Sequence, residues 1–346
     1  MRVVFRVDAG FQSGTGHLMR CLALAQWLEE YHVECLFVVT RETTAFCQAR
    51  HDWVGQIIVI PENLTQTEEI DWIRHNKLFT DCDAIVLDGY QFDHHYRGHL
   101  HKLFPNLILF DDLQDQQPLY ADVVVNGADG VSSEDYQHRA KAAVLCLGRE
   151  YRIFRKEFAL GIDIPWQQRH SITLSMGGTD PNNLTVPLLQ AIARQDHSIP
   201  VRILCGSGFR YLDALHQQIS VVTNPVQLIQ NCQDVADIFC HTRLAVAAAG
   251  STQFELLQCA TPAVLVVVAE NQRKATEAAS LQKWCLAADS HNWDIEEFAK
   301  TVTTLFHDEN KLSQMHQNAL TTRVENSTQN TIDAILKRIG RLKHDS

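Results

Sequence analysis

Short apolar runs alternate with stretches of helical spacing along most of the chain, and this alternation constrains the fold more than any other sequence feature. Such alternation is typical of βαβ units, in which crossover helices cover a parallel sheet. In the first half of the chain, the apolar runs predict strands at residues 3–7, 34–39, 56–60, 84–87, 107–110 and 122–125. We therefore expect an α/β fold that begins with a parallel sheet.

The first helix is predicted directly after the first strand. Leu18, Leu22, Ala25 and Leu28 recur every three or four residues, which puts their side chains on one face of a helix. Two glutamates at residues 29 and 30 end the apolar pattern before the next strand begins. An apolar face of this length is suited to cover the sheet.

The second half of the chain repeats the pattern after a polar stretch at residues 165–170. Strands are predicted at residues 172–175, 201–205, 221–222, 244–247 and 263–268, and residues 310–342 are predicted to be helical. A chain of 346 residues exceeds the usual size of a single domain. We therefore predict two Rossmann-like domains, at residues 1–165 and 170–346, with the C-terminal helices in the second.

Composition narrows the class of protein. A hydrophobic content of 45% and a charged content of 21% predict an ordinary globular chain. The net charge of −11 argues against broad nucleic-acid binding but permits a local basic pocket for a diphosphate. Because the sequence contains neither a leader pattern nor an apolar run of membrane-spanning length, we expect a cytoplasmic protein without stable membrane insertion.

Cysteines and histidines are numerous but do not form a metal-binding or disulfide pattern. The ten cysteines lie singly, without C-x-x-C spacing, so buried free thiols are expected. Histidines are densest at His94, His95, His99 and His101. Because no H-E-x-x-H or Cys/His framework accompanies them, a metal there is disfavoured, and we predict no metal site.

A glycine loop joins the first strand to the first helix and ends in a histidine. Gly14, Thr15 and Gly16 let a ligand approach the backbone, and the free N–H groups of the helix that follows favour an anion. The glycines alone are equally compatible with a structural turn. His17 favours function, because it follows the first strand where open α/β sheets bind ligands and because imidazole titrates near neutrality. A capping or packing histidine is the weaker alternative.

A second glycine loop follows the first strand of the second half. Gly177 and Gly178 are predicted to form a turn, and Thr179 or Asp180 could cap the next helix. This loop repeats the architecture of the amino-terminal one.

A third polar loop contains Gly250, Ser251 and Thr252, with Glu255 one helical turn further along. The hydroxyl groups can bind phosphate oxygens and Glu255 can accept hydrogen bonds from a ribose diol. A simple N-cap with a glutamate near the helix dipole explains the same residues equally well. Because the next strand ends in Glu270, Asn271, Gln272 and Arg273, a second polar loop should lie beside this one. The two loops, facing His17 across a cleft, would form a nucleotide-sugar site.

These motifs, taken in order, resemble the UDP-sugar hydrolases of pseudaminic acid biosynthesis, which have the GT-B glycosyltransferase fold and are similar to the muramyl-lipid N-acetylglucosaminyltransferase. The resemblance spans both halves of the chain. It rests on Arg6, Asp8, the Gly14–His17 loop with Arg20, Cys21 and Leu22, the run Phe110-Asp111-Asp112, Leu147, Gly148, Tyr151, Arg155, Glu157 and Phe158, the run from Ser175 to Asp180 with Asn183, the run from Ala248 to Thr252 with Glu255, and Glu270-Asn271-Gln272.

The resemblance implies hydrolysis of UDP-2,4-diacetamido-2,4,6-trideoxy-β-L-altropyranose, with His17 orienting or deprotonating the water that attacks the anomeric carbon. It implies no cofactor, and other enzymes of the sugar pathway as partners. The substrate-binding residues it implies, together with those predicted above, are Asp8, Gly14, Thr15, Gly16, Arg20, Tyr90, Gly177, Gly178, Thr179, Gly250, Ser251, Thr252, Glu255, Asn271 and Gln272.

Two positions depart from the family pattern. Gly89 stands between Asp88 and Tyr90 where the family has a histidine, and the segment Asn126-Gly127-Ala128 lacks a second asparagine. Nucleotide-sugar chemistry is therefore a firmer expectation than the altropyranose substrate itself.

Two alternatives from other classes stay open. A glycosyltransferase would use the same UDP site but pass the sugar to an acceptor hydroxyl, and a basic or apolar membrane-docking patch would favour it. A catalytically silent nucleotide-sugar binding subunit is the second alternative, against which His17 argues. Turnover of any UDP-sugar by the purified protein unaided would argue against the silent subunit.

Overall fold

A computed structural model describes residues 1–112, 116–159, 164–291 and 293–340. Its contacts divide the chain into two compact units. The first unit contains residues 1–9, 17–156 and, within the described part of the chain, 324–340. The second contains Gly10–Gly16 and Glu157–Arg323.

In the first unit, the described strands form a seven-stranded parallel sheet in the order β3-β2-β1-β4-β5-β6-β7. The strands are β1 (Arg2–Val7), β2 (Glu34–Val39), β3 (Gln56–Val59), β4 (Ala84–Asp88), β5 (Leu107–Phe110), β6 (Val123–Asn126) and β7 (Val144–Leu147). The helices are α1 (Gly16–Glu30), α2 (Arg41–Gln48), α3 (Gln66–His75), α4 (His94–Leu103) and, from the end of the chain, α13 (Ser327–Arg338).

Burial on both faces explains why the central strands are continuous apolar runs. From β1, Val3 and Phe5 pack into the core beneath α1 and α13, whereas Val4 packs on the opposite face with side chains of α3 and α4. Leu18 and Leu28 of α1 are both fully buried, as the helical spacing predicts. Transfer of such side chains out of water is worth about 1.5–3 kcal/mol each.

In the second unit, the described strands form a six-stranded parallel sheet in the order β10-β9-β8-β11-β12-β13. The strands are β8 (Ser171–Ser175), β9 (Val201–Cys205), β10 (Val226–Gln230), β11 (Thr242–Ala248), β12 (Ala263–Val267) and β13 (Cys285–Asp289). The helices are α6 (Thr185–Gln195), α7 (Leu212–Val221), α8 (Val235–Cys240), α9 (Thr252–Gln258), α10 (Arg273–Leu281), α11 (Ile295–His307) and α12 (Glu309–Thr322), and the short α5 (Lys156–Ala159) lies at the boundary along the chain.

Both sheets reverse their strand order beside their first strand. The reversal falls between β1 and β4 in the first unit and between β8 and β11 in the second. Open α/β sheets bind ligands outside the carboxyl ends of their strands at such a switch point. The predicted α/β class with two Rossmann-like sheets is confirmed, and each switch point is a place where a site is expected.

Three edge strands were missed or misplaced. The apolar pattern predicts neither β7 nor β13, and it predicts a strand at residues 221–222 that the structure does not contain. Val221 instead ends α7, because Leu212, Leu215 and Ile219 continue the helical spacing up to that point. The actual edge strand, β10, begins after Pro225 and is only half-buried, so it lacks the apolar run that identified the inner strands.

The position of the final helix, α13, differs from the predicted domain division. The predicted domains at residues 1–165 and 170–346 place all C-terminal helices in the second, but α13 packs in the first unit. Ile332, Ile335 and Leu336 lie fully buried in the core beneath β1. The predicted helical stretch at residues 310–342 is also interrupted, because α12 ends at Thr322 and α13 begins at Ser327; residues 341 and 342 lie outside the described residues.

Among the described helices, none combines the length and the apolar character needed to cross a membrane.

Candidate functional site

His17 and Asp88 meet at the switch point of the first sheet. His17 lies in the first turn of α1, and Asp88 is the last residue of β4, directly beside Val7 of β1 in the sheet. The Nδ1 atom of His17 lies 2.6 Å from Oδ1 of Asp88. The histidine is 8% exposed and the aspartate is fully buried. The fold therefore pairs the predicted reactive histidine with a carboxylate from the neighbouring strand.

Arg20 lies three residues after His17 on α1, on the same face, and bridges two carboxylates. Its Nε and Nη2 atoms lie 2.6 Å and 2.7 Å from the two oxygens of Asp88. Its Nη1 and Nη2 atoms lie 2.9 Å and 2.7 Å from the two oxygens of Asp112. The guanidinium also stacks 4.7 Å from the centre of the Phe110 ring. The predicted substrate-binding Arg20 is thus held by acidic partners of its own unit.

Electrostatics fix the charge on Asp88. Burial by itself raises the pKa of this carboxyl, but the Arg20 guanidinium and the His17 imidazole outweigh it, so that the pKa of Asp88 lies below its usual value. Cys21 places its Sγ atom 3.7 Å from Asp88. Burial, assisted by the charge of Asp88, raises the pKa of the Cys21 thiol well above its ordinary value. At neutral pH, His17 therefore lies beside a carboxylate anion and a neutral thiol.

Asp8, predicted to bind substrate, connects three loops at the same edge of the sheet. Its carboxylate accepts hydrogen bonds from Arg6 at 2.6 Å, from the Thr40 backbone N–H at 2.9 Å and from the Gln91 side chain at 3.1 Å. The buried Arg6 guanidinium also donates to Glu69 of α3 at 2.5 Å. These contacts hold the segments after β1, β2 and β4 together around the switch point.

Tyr90 lies against His17. The two rings meet edge-on with their centres 4.5 Å apart, and Tyr90 is 46% exposed. The preceding Gly89 has a φ angle of +151°, and a Cβ atom added there would lie 2.5 Å from Oε1 of Gln91 and 2.9 Å from Phe92. Only glycine adopts this backbone region readily. A histidine at position 89 would therefore require a different loop conformation.

The predicted glycine loops come together within the second unit, to which residues 10–16 belong. Gly14 has a φ angle of +74° and closes the loop by donating its N–H to the Gly10 carbonyl oxygen at 2.9 Å. A Cβ atom added to Gly178 would lie 2.5 Å from the Thr15 hydroxyl oxygen, and one added to Gly206 would lie 2.5 Å from the Gly178 carbonyl oxygen. The backbone of Gly178 therefore leaves no room for a side chain at Gly206, whereas a side chain at Gly178 would require the Thr15 side chain to move.

Asp180, not Thr179, makes the capping contacts that precede α6. Its carboxylate accepts hydrogen bonds from the backbone N–H groups of Leu184 and Thr185, each at 2.9 Å. Thr179 is buried, with 1% of its surface exposed, and Gly177 and Gly178 before it are half-buried. The carboxylate is thus used to shape the loop, and the glycines are the accessible part of it.

The third predicted loop presents hydroxyl groups. Ser251 is exposed at the start of α9, and within the described residues its side chain makes no capping hydrogen bond. Thr252, Glu255 and Gln272 are half-buried, and Asn271 is exposed. The loops after β11 and β12 lie side by side, as predicted. A Cβ atom on Gly250 would lie 3.8 Å from Nε2 of Gln272, and one on Gly16 would lie 3.5 Å from Oγ of Ser251.

The histidine cluster lies on α4 and in the described structure it shows no metal-binding geometry. The His94 and His95 rings lie 4.0 Å apart. Among the described residues, no group of three or more His, Cys, Asp or Glu side chains is arranged to hold a metal ion.

Two site residues were missing from the predicted set, namely Asp88 and Asp112. Asp88 ends one buried strand and Asp112 follows another, and carboxylates at strand ends are the signal that could have identified them. The sequence does not reveal that β4 pairs with β1, which brings Asp88 to His17. The partners of Arg20 depend on this strand order.

The fold defines the class of protein. The two parallel-sheet Rossmann-like units are those of the GT-B fold of glycosyltransferases, as predicted. Among solved structures, MurG of Acinetobacter baumannii superposes with a TM-score of 0.64 at 15% identity, covering 97% of this chain and 100% of that one. The MnaA–UDP structure of S. aureus gives a TM-score of 0.69 at 10% identity, covering 100% and 98%.

Sequence comparison gives more specific relatives. No protein-family model matches the chain. An uncharacterized protein of Methanocaldococcus jannaschii is 23% identical over 79% of this chain, which spans 57% of that protein. The spore coat polysaccharide biosynthesis protein SpsG of Bacillus subtilis is 24% identical over 79% of each chain. The UDP-2,4-diacetamido-2,4,6-trideoxy-β-L-altropyranose hydrolase of Campylobacter jejuni is 24% identical over 74% of this chain and 88% of its own.

Proposed function

We propose that the protein is an enzyme that hydrolyses a UDP-sugar, with His17 as the general base. The observation that carries this proposal is the 2.6 Å contact between Nδ1 of His17 and the carboxylate of Asp88. The name of the Campylobacter jejuni relative states hydrolysis of a UDP-sugar, and the S. aureus MnaA structure is a complex with UDP.

The contact selects one tautomer of His17. Because Asp88 is ionised, its oxygen can only accept, so the proton lies on Nδ1 of the histidine. Arg20 donates to the same oxygen at 2.7 Å, and the 3.2 Å approach of its nitrogen to Nδ1 is the distance between two donors that share one acceptor. The other ring nitrogen, Nε2, is then an acceptor for a proton from water.

The proposed reaction follows from this tautomer. Nε2 takes a proton from a water molecule as the water oxygen forms a bond to the anomeric carbon of the sugar. The bond between that carbon and the diphosphate oxygen breaks, and its electron pair leaves with UDP. The free sugar is the second product. Asp88 stabilises the imidazolium that forms on His17, as a buried carboxylate does in catalytic triads.

The loops of the second unit would bind the nucleotide. Backbone N–H groups around Gly178 and Gly250 and the hydroxyls of Ser251 and Thr252 would donate hydrogen bonds to the diphosphate oxygens, without a metal ion. The half-buried Glu255 and Gln272 and the exposed Asn271 would bind the ribose or the diphosphate. Tyr90, exposed beside His17, would contact the sugar.

The experiment is UDP release from a panel of UDP-sugars by purified protein, in chelator and without an acceptor. The panel includes the diacetamido-trideoxy-altropyranose and UDP-N-acetylglucosamine. We expect release from at least one UDP-amino sugar, unchanged by chelator, and lost in His17→Gln. Release that requires a divalent ion would contradict the metal-free mechanism. No release from any sugar, with or without an added acceptor, would favour the silent binding subunit.

A glycosyltransferase is the second candidate, favoured by the likeness to MurG across 97% of the chain. In that case His17 would deprotonate an acceptor hydroxyl instead of water. The same panel distinguishes the two, because a transferase releases UDP rapidly only after a sugar or lipid acceptor is added. Gly89 in place of the family's histidine makes the sugar specificity the open part of the proposal.

A further inference from the structure

We infer that Arg20 is a positioning residue that acts on His17 through Asp88, with Asp112 holding Arg20 from the other side. The inference rests on the proposed role of His17 as a base. The sequence predicted that Arg20 binds substrate, and the inference gives this side chain a positioning role instead.

The geometry of the Arg20 guanidinium supports this role. Two of its nitrogens bind both oxygens of Asp88 at 2.6 Å and 2.7 Å, and the remaining contacts bind both oxygens of Asp112 at 2.9 Å and 2.7 Å. Such paired contacts fix the plane of a carboxylate as well as its charge. Phe110 stacks on the guanidinium at 4.7 Å, so the orientation of Arg20 is fixed by three neighbours.

The plane of Asp88 determines which oxygen faces His17. Oδ1 of Asp88 lies 2.6 Å from His17 Nδ1 and also accepts from Arg20, whereas Oδ2 is bound by the Arg20 Nε atom and approached by the Cys21 thiol. Rotation of this carboxylate would break all of these contacts together. Arg20 thus holds the oxygen that selects the His17 tautomer.

The charges of the cluster add a second effect. The groups that contact His17 are the Asp88 carboxylate from β4, Arg20 from α1 and the Tyr90 ring, and the neutral Cys21 thiol contacts Asp88. Asp112 belongs to the cluster through Arg20. Two carboxylates and one guanidinium leave one net negative charge beside the imidazole, which favours the imidazolium formed during the reaction.

The charge arrangement predicts opposite effects of two substitutions. Arg20→Gln removes a positive charge near His17, so the acid limb of the pH profile of kcat/KM should move to higher pH. Asp112→Asn removes a negative charge, so the acid limb should move to lower pH. We expect kcat to fall about 10- to 100-fold in Arg20→Gln, the range found when the hydrogen-bond partners of metal-ligating histidines are removed, and less in Asp112→Asn.

The decisive experiment observes the tautomer directly in the full-length protein labelled with ¹⁵N-histidine. Long-range ¹H–¹⁵N correlation spectra distinguish the two ring nitrogens, and the signal missing in His17→Gln assigns His17. We expect a proton on Nδ1 in the unsubstituted protein and in Asp112→Asn, and a mixture of tautomers in Arg20→Gln. Arg20→Lys is the matched variant, because lysine keeps the charge but cannot contact both oxygens of two carboxylates.

The inference is overturned if Arg20→Gln and Arg20→Lys keep the single Nδ1–H tautomer and raise only KM, since that is the behaviour of a substrate contact. If Arg20→Gln fails to fold, Arg20→Lys and Asp112→Asn still give both readouts. The spectra require no substrate. If Arg20→Gln changes the His17 tautomer but the unsubstituted protein turns over no UDP-sugar, the positioning role is supported and the proposed function is contradicted. If the unsubstituted protein turns over a UDP-sugar but Arg20→Gln leaves the tautomer unchanged, the proposed function is supported and the positioning role is contradicted.

Discussion

The switch points of the two sheets have the same topology but different chemistry. At the first, between β1 and β4, ionisable side chains are buried and paired, as in the contacts of Arg20 with Asp88 and Asp112. At the second, between β8 and β11, the loops present glycine backbone and small hydroxyl groups, and Asp180 turns its carboxylate to backbone N–H groups. One strand arrangement thus supports a charged cluster in one unit and a backbone cradle in the other.

This difference predicts separate roles for the two units in catalysis and in nucleotide binding. Buried ionisable pairs are costly to desolvate, and their presence at a strand end is typical of sites where protons move. Close backbone approach with free N–H groups is typical of sites that hold anions. Under the proposed function, substitutions in the first unit should lower the reaction rate, and substitutions in the second should weaken nucleotide binding.

The largest effect is expected for Asp88→Asn, which tests the first half of this comparison. The amide would present an N–H to His17 and favour the wrong tautomer, so kcat should fall by about 10⁴-fold, as in triads in which the same substitution is made. Turnover of the preferred UDP-sugar measures it. UDP affinity, measured by calorimetry, should be unchanged, and a variant whose only defect is UDP binding would break the assignment of chemistry to the first unit.

The second half of the comparison is tested by Ser251→Ala combined with Thr252→Val. Each hydroxyl that binds a charged phosphate oxygen contributes about 1.5–3 kcal/mol, so the dissociation constant for UDP should rise at least about tenfold. At saturating substrate, kcat should change little. Ser220→Ala is the matched control, because that hydroxyl bonds the Gln217 carbonyl on an exposed helix. Equal affinity in the double variant and in the control would remove these hydroxyls from the nucleotide site.

The backbone of the first switch point is tested by Gly89→Ala. With a φ angle of +151° and Gln91 at 2.5 Å from the added Cβ, the substitution should lower the free energy of unfolding by about 1–3 kcal/mol. Denaturant unfolding measures it. Gly98→Ala, within α4, is the matched control, because its Cβ would make ordinary contact with Tyr120 and alanine favours a helix by up to about 1 kcal/mol. A stable Gly89→Ala protein would refute the strain at this position.

The inner strands could be predicted from sequence, and the edge strands mostly could not. A strand buried on both faces, such as β1 or β8, must be a continuous apolar run, which is visible without a structure. The edge strands β7, β10 and β13 are only partly buried, so their apolar signal is weak. Helix α13 was assigned to the wrong unit because an amphipathic helix does not specify which sheet it covers.

The candidate site also has some features that could be predicted from sequence and others that could not. Glycine and hydroxyl loops are local sequence features, so the loops at residues 14–17, 177–180 and 250–252 could be found directly. The partners of His17 and Arg20 come from β4 and from the end of β5, and they depend on the order of strands in the sheet. No spacing in the sequence specifies that order. The chain therefore shows where a site lies more readily than which side chains control it.

The smallest effect is expected for Asp180→Ala, which tests whether the buried Asp180 carboxylate at the second switch point serves structure or nucleotide binding. Two backbone N–H groups, of Leu184 and Thr185, would lose their acceptor, and loss of such a cap costs about 1 kcal/mol. For a unit of this size the melting temperature should fall by about 2–4 °C. Asp180→Asn keeps an acceptor and should recover part of the loss. If instead UDP affinity falls tenfold in both variants while the melting temperature is unchanged, Asp180 contributes to the nucleotide site. The second unit would then bind the nucleotide with a charged side chain as well as with backbone and hydroxyl groups.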